Sequence, residues 1–303
     1  RALDDARSDG EPTAALATEL ARAESDVVRL SRTIHGSASP MTLRRPAEVR
    51  RALDGACFVE LLESDERLMA VVVNARSTRL VPLGSATDAA RHASDISFEL
   101  RRAITGFGTG AGRDAGTAAL RVATAALSEQ IAHPLAAASD GCRQIVLSPT
   151  AALIGVPWSL LDGLDSLPIS VAPSATIWCG CIERLRAYDR VALAHGPGVP
   201  AGDAEIHEIA ALHAGARVAR LAGSQATTRA LLDAARDADL LHVAAHGTLR
   251  RDNPSFSALH LADGPLTLYD LEALSPGPCL VVLSACDAGA GRTVVAEETF
   301  GLA

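Results

Sequence analysis

Asp239-Leu-Leu-His-Val-Ala-Ala-His246-Gly247 and Cys279-Leu-Val-Val-Leu-Ser-Ala-Cys286-Asp287 decide the fold of this chain. Each is an apolar run with the length of a fully buried strand, and each ends abruptly in a residue capable of chemistry. Ahead of the first lies Thr227-Thr-Arg-Ala-Leu-Leu-Asp-Ala-Ala-Arg-Asp237, a helical pattern with Thr227 placed to cap it. That is half of a βαβ unit. Between the runs come a polar stretch (Arg250 to Ser255), a short apolar stretch (Ala258 to Ala262), and a helical pattern from Leu266 to Leu274 closed by Ser-Pro-Gly-Pro at 275–278. If both runs are strands of one parallel sheet, they end at the same edge, where such sheets place their ligand crevices. His246 and Cys286 then face each other. A free thiol titrates near ~8.5 and needs a base beside it to attack at neutral pH, which an imidazole supplies.

These strand ends, His242-x-x-x-His246-Gly247 followed by Leu283-Ser-Ala-Cys286, resemble the CHAT proteases, caspase-like cysteine peptidases related to caspases and separases. Caspases place the His before the Cys on a similar scale within a different local motif. The resemblance extends upstream. Ile145-Val-Leu-Ser-Pro-Thr-Ala-Ala-Leu-Ile-Gly-Val-Pro-Trp158-Ser-Leu-Leu161 is similar to the family's strand, turn and tryptophan segment, and Val171-Ala-Pro-Ser-Ala175 to its Pro-Ser segment. Asp287 stands where the family more often has Glu.

The resemblance implies an α/β, caspase-like fold: a mostly parallel sheet flanked by helices, with an N-terminal helix and a small β-meander and helical subdomain. It implies a His246 and Cys286 dyad, an oxyanion site made by the backbone N–H groups of Gly247 and Cys286, and no metal or cofactor. Its partners are a protein or peptide substrate and an activating protein partner or sensor domain. A non-catalytic scaffold of the same fold is the alternative; an inactive copy tolerates loss of either reactive residue, and both are present here. The expected organisation is an N-terminal helix and linker over 1–46, an α+β part over 47–135, and a caspase-like part over 136–303 that stops inside what reads as the start of a helix.

Composition sets limits. A chain with 48% hydrophobic residues and only 3% aromatic ones builds its core from Ala, Leu and Val. A net charge of −8 argues against a nucleic-acid-binding surface, which would be basic. No run of 18 apolar residues and no basic segment followed by an apolar one is present, so neither a membrane span nor a signal peptide is expected, and the chain reads as cytoplasmic. The six cysteines lack a C-x-x-C pair and are expected reduced. All basic charge is Arg, a composition typical of a GC-rich bacterial genome.

Along the chain, Leu16, Leu20, Ala23, Val27, Leu30 and Ile34 recur at helical spacing, predicting an amphipathic helix over 11–34. A short helix (Ala47 to Leu53) and paired strands (Ala56 to Glu63, Leu68 to Val73) follow, with Arg79 to Leu83 as a third strand and a helix from Thr87 to Ile104. The glycine-rich segment 106–116 follows a helix, not a strand, which argues against a phosphate loop and for a flexible linker. A helix over 117–132 is predicted to end near Pro134. Beyond Arg143, strands at 191–195 and 217–221 alternate with a helix at 204–213, as in a parallel sheet.

The bland readings sit beside the sharp ones. His242 lies on the same strand face as His246 but deeper, and reads as a satisfied structural histidine. Cys279 opens its strand behind Pro278 and reads as a small buried hydrophobe, and Cys179 and Cys181 as core. His207-Glu208 with His213 lacks the four-residue spacing of a zinc helix. Asp287 and Asp263 are candidate substrate contacts. A carboxylate beside the nucleophile repels an acidic P1 side chain, predicting cleavage after a basic or uncharged residue and not after Asp. The alternative for Asp287 is to cap its own loop.

Overall fold

The computed structural model describes residues 42–104, 110–184, 187–248, 250, 256–272, 274, 277–285, 292–295 and 298–300, together with 14–16, 18–20, 22, 23 and 26. The chain divides into two compact units, Arg1–Leu43 and Arg44–Ala303. In the first, the described residues are helical, as the spacing predicts, and the Thr18 hydroxyl donates to the Ala14 carbonyl at 2.9 Å.

Among the described residues the second unit holds two larger sheets, a three-stranded sheet and a two-stranded pair. The first has the order β3-β2-β1-β4-β5 and is built from β1 (Cys57–Ser64), β2 (Arg67–Val73), β3 (Thr78–Ser85), β4 (Ile145–Ser148) and β5 (Ile169–Val171). The predicted meander is its antiparallel half. Asp65 and Glu66, at φ 50° and 62°, make the tight turn between β1 and β2. Parallel pairing of β1 with β4 and of β4 with β5 carries the sheet past residue 135 into the segment similar to the family's tryptophan region.

One face of this sheet packs Val59, Leu61 and Leu147 against α2 (Ala86–Ile104), α3 (Gly110–Leu127) and α4 (His133–Ala138) through Ile96, Leu127 and Leu135. The other packs Phe58 and Val146 against Val49 of α1 (Pro46–Ala52) and Trp178 of α5 (Ala175–Arg184), with the Phe58 and Trp178 rings 6.0 Å apart.

Two expectations are corrected here. Residues 110–116 are the first turns of α3, not a linker; among them the buried Gly116 sits where an added Cβ would meet the Arg102 guanidinium of α2 at 3.9 Å. Pro134 does not end the helical run. Because proline has no N–H, the helix widens into a π-turn over Ser128–Ala132, where the His133 N–H reaches back to the Ser128 carbonyl, and α4 continues beyond it.

The second sheet, ordered β12-β8-β6-β7, is parallel throughout: β6 (Arg190–His195), β7 (Arg217–Ala222), β8 (Leu240–Ala244) and β12 (Leu280–Ser284). All five residues of β8 are buried, the pattern of a central parallel strand. Val191, Leu193 and Leu240 pack on Ile206 of α6 (Gly202–Leu212), while Ala192, Ala194, Leu241 and Val243 pack on Leu231 and Ala235 of α7 (Thr228–Arg236). Helices on both faces make this a three-layer α/β unit. The Thr227 hydroxyl accepts the Ala230 N–H at 3.2 Å, so the sequence-assigned cap is in place.

At the carboxyl edge of this sheet lies a small antiparallel sheet, β11-β10-β9, of β9 (Gly247–Thr248), β10 (Ala258–Leu261) and β11 (Gly264–Thr267). The helix expected from Leu266 starts later, at α8 (Leu268–Glu272), because Leu266 and Thr267 belong to β11. The Asp270 carboxylate accepts both the Thr267 N–H (2.8 Å) and its hydroxyl (2.7 Å), which fixes that start. β13 (Arg292–Val295) and β14 (Glu298–Phe300) pair antiparallel. Among the described residues no helix is long and apolar enough to cross a membrane.

Candidate active site

The two strands that frame the sequence reading are neighbours. β8 and β12 pair in parallel, Leu240 with Leu280 through Ala244 with Ser284, and the Ala245 N–H continues the ladder onto the Ser284 carbonyl at 3.2 Å. In sequence, His246 and Cys286 each stand two places beyond the last pair of that register. Cys286 and Asp287 themselves lie outside the described residues.

His246 is exposed, just past the end of β8. Its Nε2 lies 3.0 Å from the carbonyl oxygen of Gly198, in the loop between β6 and α6. A carbonyl only accepts, so Nε2 carries the proton and Nδ1 of the neutral ring holds the lone pair. Gly198 stands at φ +73°, in the left-handed region, and a Cβ there would come within 3.4 Å of His246 Nε2. Glycine is therefore favoured by the left-handed backbone, while a Cβ would only come into contact with the ring.

This acceptor had no side-chain signal in the sequence. The only hint was the glycine and proline content of the loop Gly196-Pro-Gly-Val-Pro200.

Gly247 opens β9, which pairs with β10. The His260 N–H donates to the His246 carbonyl at 2.8 Å, and Leu259 stands opposite Gly247. In that register Leu259 and Gly247 form a non-hydrogen-bonded pair, so the Gly247 N–H points away from β10. The Thr248 hydroxyl and His260 Nε2 lie 2.6 Å apart, diagonally across β9 and β10.

His242 behaves as a structural histidine. It is 6% exposed, and its Nε2–H donates to Glu205 Oε1 of α6 at 2.8 Å. His195, at the end of neighbouring β6, places Nδ1 3.2 Å from the Gly196 carbonyl and Nε2 4.0 Å from Asp203. Nothing in the sequence around it marks it as functional. Asp263 sits in the turn between β10 and β11, and its Oδ1 accepts the Thr228 N–H at 2.8 Å. That is a cap on the start of α7, so at least one of its oxygens serves the fold.

The other thiols differ in setting. Burial pushes the Cys57 thiol up to about 12, with the Ser139 hydroxyl pulling against it and Cys142 adding to it. Burial likewise raises Cys179, opposed by Arg44. Cys181, read as core, is exposed, and Cys279 is half-buried. His213 meets Tyr188 edge-on at 6.2 Å. Among the described residues no group of three or more His, Cys, Asp or Glu could hold a metal ion.

The CHAT domain family model matches residues 121–303. Two crystal structures of the separase–securin complex of Saccharomyces cerevisiae are similar to the chain. The structure at 2.6 Å resolution gives a TM-score of 0.46 and 10% identity, covering 67% of this chain and 23% of that one. The structure at 3.0 Å gives 0.48 and 10%, covering 82% and 27%. The chain thus spans about a quarter of the length of the separase chains it matches. No curated protein sequence matches it.

Proposed function

Because the chain belongs to the CHAT domain family, we propose that it is a cysteine endopeptidase working through His246 and Cys286. The observation that carries this is the commitment of the His246 Nε2–H to the Gly198 carbonyl, just past the end of β8, whose parallel neighbour β12 precedes Cys286 by two residues in sequence. That bond leaves Nδ1 as the proton acceptor and does for this ring what a carboxylate does in a Ser-His-Asp triad: it holds tautomer and orientation.

In this reading Nδ1 takes the proton of the Cys286 thiol, and the thiolate attacks the carbonyl carbon of the scissile peptide. The tetrahedral oxyanion accepts from the backbone N–H groups of Gly247 and Cys286, the former directed away from β10 by its place in the register. The His246 imidazolium then gives its proton to the leaving amine. Water, activated by the same ring, hydrolyses the thioester and restores the thiol.

The substrate is a protein or peptide chain, cleaved after a basic or uncharged P1 residue, because Asp287 and Asp263 disfavour an acidic one. Activity rises when a protein partner or adjoining domain engages the chain. The test is a P1-varied fluorogenic peptide series run on the chain and on Cys286→Ala and His246→Ala. Both variants should melt as the parent does and lose on the order of 10⁶ in turnover. Cleavage that survives Cys286→Ala sinks the assignment, and a best substrate with P1 Asp removes the electrostatic argument.

A further inference from the structure

We propose that the buried His242–Glu205 pair is a positioning device for His246, setting the tautomer of the base through the loop that carries Gly198. The proposal rests on the reading of His246 as the base and adds to it a second pair of side chains.

Alternate residues of β8 and its extension each hold one point of the β6–α6 connection. The Ala244 carbonyl accepts the Gly196 N–H at 2.8 Å. His246 Nε2–H reaches the Gly198 carbonyl at 3.0 Å, and His242 Nε2–H reaches Glu205 Oε1 at 2.8 Å. Between the last two points the chain is short and internally bonded. The Gly202 N–H donates to the Val199 carbonyl at 3.1 Å, and the Glu205 N–H to the Ala201 carbonyl at 2.9 Å. A displacement of Glu205 is therefore transmitted through the first turn of α6 to residue 198.

Gly198 has no side chain with which to lock its own backbone. At φ +73° the direction of its carbonyl is set by what holds the loop on either side. On the β6 side the hold is the Gly196 bond. On the α6 side it is Glu205, because His242 is 6% exposed and its N–H must find an acceptor where water is excluded. Hydrogen bonds weaken steeply as they bend, so a small rotation of the Gly198 carbonyl releases Nε2–H. The ring then populates the Nδ1–H tautomer, which has no lone pair at Nδ1 to receive the thiol proton.

The experiment is histidine-selective ¹⁵N NMR of the full chain, read together with the rate of Cys286 alkylation by iodoacetamide at neutral pH. The parent should show His246 as the Nε2–H tautomer. Glu205→Ala should mix the two tautomers and slow alkylation about tenfold, the scale of losing an outer-shell orienting partner. Glu205→Gln keeps an acceptor for His242 and should restore both signals. A folded Glu205→Ala whose His246 shifts match the parent overturns the proposal.

If Glu205→Ala does not melt cooperatively, His242→Gln is compared with His242→Phe, since only the amide can still donate to Glu205. Identical His246 shifts in those two overturn the proposal equally. The tautomer is read without any substrate, so failure here is separable from failure of the peptidase reading, which the Cys286→Ala cleavage assay decides.

Discussion

The first sheet and the second are built alike and end differently. Both contain parallel strands flanked by helices, β1, β4 and β5 in one and β6, β7, β8 and β12 in the other. The inner strands are buried, while the strands at the ends, β5, β7 and β12, are largely exposed; the apolar run of β12 reads as a fully buried strand, yet Leu280, Val281 and Val282 are exposed because β12 pairs on one side only among the described residues. At the carboxyl end of β4, the buried Ser148 hydroxyl donates to the Pro173 carbonyl at 3.2 Å. The chain there turns through Pro149 and two 3₁₀ turns, whose Leu153, Val156, Trp158 and Leu161 are all buried. Apolar side chains close that edge. In the second sheet, β6 ends in His195, β8 runs on to the exposed His246, and β12 leads to Cys286. Strand pairing is therefore not what separates the two edges. What matters is whether the chain leaving the strands folds back as apolar cover or as glycine-bearing loops that leave polar groups facing outward.

The sharpest way to break the comparison is to damage each interior. Leu147→Ala in β4 and Leu193→Ala in β6, at 1% and 0% exposure, should each cost about 2–5 kcal/mol in denaturant unfolding. Leu193 pairs with His242, so its loss should also slow Cys286 alkylation, whereas Leu147→Ala should leave that rate at the parent value in the folded protein. Equal effects on alkylation would mean that the site does not belong to the second sheet alone.

A smaller cut compares two glycines. Gly198 lies under His246 at φ +73°, and Gly163 lies under His133 at φ +90°, where a Cβ would come 3.0 Å from the ring. Alanine at either place should cost about 1–2 kcal/mol of stability for the left-handed backbone alone. Only Gly198→Ala should also lower the alkylation rate of Cys286, by about tenfold or more, because it displaces the carbonyl that orients the His246 ring.

The smallest effect concerns pH. His133 bonds to Asp162 and lies beside Glu129, at 3.3 Å and 3.4 Å, and these carboxylates, Asp162 first, raise it above its ordinary 6.5. The folded state thus holds this proton more tightly than the unfolded chain. Its contribution is fully present below pH 6.5 and fades as pH climbs through the raised value. Melting temperature measured across that window should fall slightly, and less at high salt, since the group is exposed. Asp162→Asn should flatten most of the dependence, and an unchanged slope in that variant would assign it elsewhere.

Much of this is legible in the sequence. Thr227 announced its helix because a side-chain oxygen ahead of an apolar helical pattern satisfies an otherwise orphaned N–H. The Ser64-Asp-Glu-Arg turn and its flanking strands follow from period-2 burial, and His242, deeper on its strand, is satisfied as its position implies. Other features resisted. The glycines of 110–116 read as a linker by propensity, yet α3 packs along α2, where small residues let helices approach. Pro134 read as a stop, yet a π-turn accommodates it. Leu266 and Thr267 fit a helical period and also a strand of alternating burial, and pairing with Ala258 and Leu259 decided for the strand.

By itself the sequence determined that two apolar runs, ahead of His246 and of Cys286, form parallel strands, because runs of strand length with abrupt polar ends admit little else; it did not determine their burial, which is complete in β8 and slight in β12. Local patterns record what a segment must bury and where its regular structure must stop. Only the tertiary structure decided that β8 and β12 are neighbours, that the β6–α6 loop crosses the end of β8, and that a glycine carbonyl is the acceptor for His246. A backbone oxygen has the same letter at every position. Its role comes from where the chain is brought back in space, a long-range outcome of packing that residue identity does not encode.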